Sequence, residues 1–134
     1  MYKLTFIFTL FSSISLSQTL IGKIDGASIT LEDGNYEVIF QSESDYVSFY
    51  INHGAGKENG LEALKTYVFR LFDEKEGDYL LQFEHDSLLL VYDDNKVQMI
   101  LWRQHDGDQR FVSKWFGKTD YLELLGEIAI KDKI

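Results

Sequence analysis

The run Asn59-Gly-Leu-Glu-Ala-Leu-Lys-Thr-Tyr-Val-Phe-Arg-Leu-Phe72 sets the architecture. Leu61, Leu64, Tyr67, Val68, Leu71 and Phe72 recur at the i, i+3, i+4, i+7 spacing of an amphipathic helix. Asn59 supplies an N-cap side chain, Glu62 stands three residues later as in a capping box, and Gly77 after Asp73-Glu-Lys-Glu76 supplies a stop. The β-branched and aromatic content of Thr66 to Phe72 keeps a strand reading open as the rival.

Outward from this helix the period changes to two. On the N-terminal side, Ala27 to Leu31, Tyr36 to Phe40 and Tyr46 to Ile51 are separated by Glu32-Asp-Gly-Asn35 and Ser42 to Asp45, which is turn chemistry between antiparallel strands. On the C-terminal side, Tyr79 to Phe83, Ser87 to Tyr92, Val97 to Trp102 and Phe111 to Trp115 read as strands. Thr119 and Asp120 then open a short helix carrying Tyr121, Leu122, Leu124 and Leu125, stopped by Gly126. Proline is absent, so Gly, Asn, Asp and Ser must make every turn. The order predicts an α+β fold: a mostly antiparallel sheet with one central amphipathic helix packed on one face and a short C-terminal helix. A small barrel or lipocalin-like cup is the alternative, disfavoured by the central position of the helical run.

Residues 1–17 read as a secretory leader, with Lys3 ahead of an apolar stretch from Leu4 to Leu16 and small residues at Ser15 and Ser17. Cleavage before Gln18 is expected, leaving residues 18–134 as a single α+β domain. A retained anchor is the competing reading, but the run is short of the roughly 20 apolar residues that cross a bilayer and is diluted by Thr and Ser. The chain has no cysteine, which excludes disulfides, thiolate metal sites, a cysteine nucleophile and lipid attachment behind the leader. An exported domain without disulfides fits a bacterial envelope or culture fluid better than an animal secretory pathway.

The chain carries 13 basic and 22 acidic side chains, a formal net charge of −9. Without the leader, Lys3 is lost as well. Such a balance offers no long-range attraction to phosphate backbones, so nucleic acid is not an expected partner.

The nucleophile elbow, the Ser-x-x-Lys pair, the zinc helix, the dinucleotide fingerprint and the P-loop are all missing from the sequence. Gly54-Ala-Gly56-Lys57 lacks the upstream glycine and the following Ser or Thr of a phosphate loop. His53, His85 and His105 fall in predicted turns and are the weak metal candidates, set against the ordinary role of a solvated turn histidine. Asp93-Asp94-Asn95 and Asp106-Gly107-Asp108 offer oxygen ligands, yet neither extends to a twelve-residue calcium loop, and turn formation explains both. No cofactor is expected. Glu84, His85 and Asp86 form the weak catalytic candidate, read otherwise as a polar strand end.

In Tyr46-Val-Ser-Phe-Tyr-Ile51 both strand faces carry large apolar side chains, which makes Tyr46, Phe49 and Tyr50 candidates to meet a partner or glycan; burial of both faces is the alternative. Leu31-Glu-Asp-Gly-Asn-Tyr36, a mature chain beginning with Gln18 and the closing Ser113-Lys-Trp-Phe-Gly-Lys-Thr-Asp-Tyr-Leu-Glu-Leu-Leu-Gly126 together resemble small exported bacterial proteins of uncharacterised function. The resemblance implies export and one α+β domain, and carries over no activity. The expectation is an exported, non-catalytic module binding a protein or envelope component, without a stable membrane span. A small envelope hydrolase using acidic and histidine residues, and an acidic inhibitor or immunity-like protein, are the alternatives.

Overall fold

The computed structural model describes residues 18–51, 60–83, 85–103 and 109–127. Alternation of large apolar and polar side chains builds a first antiparallel meander from β1 (Gln18–Ile24), β2 (Ala27–Glu32), β3 (Asn35–Ser42) and β4 (Asp45–Tyr50), in that spatial order. The register aligns Ile29, Val38 and Phe49 in one cross-strand row and Ala27, Phe40 and Val47 in the next. All six are buried, so one face of this sheet is core. The β2–β3 hairpin turns on Asp33 and Gly34, both at positive φ (54° and 80°), the two-residue turn whose twist matches its strands.

The helix α1 (Gly60–Glu74) follows, burying Leu61, Leu64, Val68, Leu71 and Phe72 along one stripe. It begins tightly against the first sheet, because a Cβ on Gly60 would overlap the carbonyl of Ile51. A second meander then forms from β5 (Asp78–Gln82), β6 (Asp86–Asp93), β7 (Lys96–Arg103) and β8 (Gln109–Gly117). Its inner face holds Leu81, Leu88 and Leu101 in one row, with Leu90, Met99, Val97 and Phe116 beyond it. Helix α1 packs against β5, β6 and β7.

The chain ends its described course in α2 (Lys118–Leu124), where the Asp120 carboxylate accepts the Gly117 N–H at 3.0 Å. This helix lies on β1 and β2 of the first sheet, on β8 of the second, and on α1. Tyr121 is its anchor: the ring is fully buried, stands 5.9 Å from both Phe72 and Phe116, and donates its hydroxyl to the Val97 carbonyl at 2.9 Å. Gly22 of β1 is pressed against the backbone carbonyls of Glu123 and Leu124, an approach that leaves no room for a side chain.

The class is α+β. The sequence predicts one sheet, and the described residues form two, each of four strands. Period-two alternation tells which side chains share a face but not which strands are neighbours, and α1 separates the two meanders. One buried cluster draws on both sheets and both helices.

Candidate functional site

Strand β4 closes one edge of the first sheet, and its hydrogen-bond phase decides what it offers outward. Ile51 N–H donates to the Tyr36 carbonyl at 3.0 Å, so Phe49 and Val47 also pair inward with β3. The backbone groups of Tyr46, Ser48 and Tyr50 therefore point away from the sheet along its outer edge, and their side chains share its outer face. The three aromatic candidates separate accordingly. Tyr46 and Tyr50 are 66% and 56% exposed, whereas Phe49 is 2% exposed and meets Phe40 edge-on at 6.1 Å.

The second sheet reaches this edge through Arg103, the last residue of β7. Its guanidinium donates to the Ser48 carbonyl at 2.6 Å and to Asp86 Oδ1 at 3.1 Å, and lies 5.9 Å from the Phe111 ring. Two of the five guanidinium donors are thus spent on fixing the side chain. The Val112 N–H donates to Ser42 Oγ at 3.1 Å, a second tie between the sheets. Between these ties lies an open concavity of about 460 Å³ walled by Ser42, Asp45, Tyr46, Ser48, Arg103 and Phe111. It brings together hydroxyls, a carboxylate, a fixed cation and two aromatic rings, a set suited to holding a polar ligand by hydrogen bonds and ring contact.

Of the sequence candidates among the described residues, only Tyr46 lines this concavity. Asp86 stands behind it as the anchor of Arg103, its side chain almost buried. His85 is exposed, on the turn before β6. Glu84, His53, His105, the Asp106-Gly107-Asp108 turn and the Gly54-to-Lys57 segment lie outside the described residues. Asp94 and Asn95 make the β6–β7 turn at positive φ, and Asn95 is satisfied by the Tyr92 hydroxyl through both its amide N–H and its side-chain oxygen. Among the described residues no group of three His, Cys, Asp or Glu side chains is placed to hold a metal. No described helix is long and apolar enough to cross a membrane.

Sequence reasoning missed Arg103, Ser48 and Phe111. A single arginine at a strand end carries no motif, and its partner Ser48 is 55 residues away. Among the described residues, two groups elsewhere are shifted in their titration. The hydrogen bond that Lys65 donates to the Glu127 carboxylate, at 2.9 Å, raises Lys65 above the ordinary lysine value, and burial raises Tyr121 far above the ordinary phenol. No family model matches the chain, and neither the curated proteins nor the solved structures contain a match.

Proposed function

We propose that this chain is an exported, non-catalytic binding module that seats a polyhydroxyl segment of an envelope component, a glycan, in the concavity between β4 and the β7–β8 strands. The observation that carries this reading is that the exposed Tyr46 and the fixed guanidinium of Arg103 line one concavity together with Ser42, Asp45 and Ser48. A sugar ring presents an apolar face to an aromatic side chain and hydroxyls at its rim to such donors and acceptors. Asp86 is committed to holding Arg103 at 3.1 Å and is not among the residues that line the concavity.

Export rests on the leader at residues 1–17, and the resemblance to small exported bacterial proteins points the same way. N-terminal sequencing of protein recovered from its producing cells is expected to begin at Gln18; recovery beginning at Met1 contradicts export by cleavage. The ligand class is tested on an array of envelope oligosaccharides with the unaltered protein and Tyr46→Ala. Retention by the unaltered protein and loss of at least about tenfold in the variant is the expected pair of results, the scale of an aromatic contact together with its buried area. Equal retention of both proteins, or of neither, rejects the site.

A further inference from the structure

Among the described residues the two sheets have four edge strands, and three of them carry a cover, a bulge or a tie. Strand β1 is bulged between Leu20 and Gly22 and covered by α2, whose Glu123 and Leu124 carbonyls press on Gly22. Strand β4 has its Ser48 carbonyl taken by Arg103. Strand β8 is bulged opposite the Gln98–Ile100 stretch of β7, gives its Val112 N–H to Ser42 and ties Lys114 to Asp25 at 3.3 Å. These are the ordinary devices by which proteins prevent a sheet edge from pairing with another chain.

Among the described residues, strand β5 has none of them. The Gly77 carbonyl accepts from Tyr92 N–H at 3.1 Å and Phe83 N–H donates to the Asp86 carbonyl at 2.8 Å, which fixes the phase of the ladder. Tyr79 and Leu81 therefore pair with β6, while Asp78, Leu80 and Gln82 turn their N–H and C=O groups outward. No described strand pairs with that edge, its register is unbroken, and Leu80 at its centre is 55% exposed. Leu80 also begins an apolar cross-strand row, Leu80–Leu89–Ile100–Val112, on the outer face of the sheet.

We propose that the outer edge of β5 is an interaction surface that takes one extended segment of another protein, basic and apolar in character, as an added strand. Main-chain hydrogen bonds to Asp78, Leu80 and Gln82 supply the attachment, and alternate side chains supply the selection. The residue set opposite Leu80 extends the apolar row, and the residue two positions along, opposite Asp78, is Lys or Arg. Charge selects this occupant: residues 73 to 78 hold Asp73, Glu74, Glu76 and Asp78 against Lys75 alone, on a chain of net charge −9. A second copy pairing antiparallel about Leu80 sets Gln82, not a cation, opposite Asp78, and a five-residue edge buries less than the roughly 1,200 Å² that a specific dimer needs. The surface is distinct from the concavity at Tyr46 and does not depend on it.

The test is a titration of the full chain with the blocked peptide Ser-Thr-Gln-Thr-Val-Thr-Lys-Thr-Ser, followed by amide hydrogen exchange. In antiparallel pairing the peptide sets Val opposite Leu80 and Lys opposite Asp78. Slowed exchange at the Leu80 and Gln82 amides is expected, with binding weakened about tenfold when Glu replaces the peptide Lys and that preference reversed in Asp78→Lys. Leu80→Lys, at an exposed position, is expected to remain folded by circular dichroism and to lose the protection. Unchanged exchange at these amides with millimolar peptide overturns the proposal, as does binding indifferent to the peptide's charge. A dimer in sedimentation that Leu80→Lys dissociates also overturns it, because the occupant is then a second copy.

Discussion

Neighbouring residues of β4 have opposite fates that follow from strand geometry alone. Phe49 points into the core between Phe40 and Phe83, so Phe49→Ala is expected to cost about 3–5 kcal/mol in denaturant unfolding. Tyr46→Ala, on the solvent face, is expected to change stability by no more than about 0.5 kcal/mol. Arg103 is structural and functional at once. Its removal leaves the nearly buried Asp86 carboxylate and the Ser48 carbonyl without their donor, and Arg103→Ala is expected to cost about 1–3 kcal/mol, discounted for the arginine's partial exposure. Arg103→Lys keeps the charge but not the fork that spans both acceptors, and recovers only part of that loss. Tyr121 adds a pH signature. Its folded-state value lies above the ordinary phenol near 10, as Lys65 lies above the ordinary lysine, so both contribute stability below those values and lose it as pH rises through them. Thermal melts are expected to fall above about pH 10. Tyr121→Phe, which lacks the hydrogen bond to Val97, starts about 1 kcal/mol lower at pH 7, and its deficit narrows by pH 11.

Elements differ in how far their own residues dictate them. Strands β2, β3, β4, β6 and β7 follow from alternation bounded by turn residues, and the turns at Asp33-Gly34 and Asp94-Asn95 adopt the positive φ values their residue types tolerate. Strand β1 escapes such a reading. Its Gly22 weakens the strand pattern and its bulge shifts the side-chain phase, and the α2 backbone that leaves room only for glycine at position 22 lies about a hundred residues later. Gly60 is the sharpest case at this scale. Ala is ordinarily worth about 1 kcal/mol over Gly inside a helix. At the start of α1 a Cβ meets the Ile51 carbonyl, so Gly60→Ala is expected to lower the melting temperature instead of raising it. A raised melting temperature would contradict the close approach of α1 to the Ile51 carbonyl.

For the whole molecule, the join between the sheets carries both the packing and the proposed chemistry. The core is legible in advance because burial follows local period; the concavity is not, because Ser42 and Ser48 meet Arg103 and Phe111 only through tertiary placement of two meanders. Neither hydroxyl nor guanidinium stands out from its neighbours in the sequence. The arrangement explains why an acidic, cysteine-free chain without a recognisable catalytic motif still presents a shaped polar recess. The most direct measurement is a nuclear magnetic resonance titration of the protein with soluble envelope oligosaccharides, following backbone amides. The amides of Tyr46, Ser48, Arg103 and Phe111 are expected to shift together and saturate at one concentration, and Tyr46→Ala is expected to remove the effect. Saturable binding that leaves these four amides unmoved, or no binding to any oligosaccharide, contradicts the proposed site.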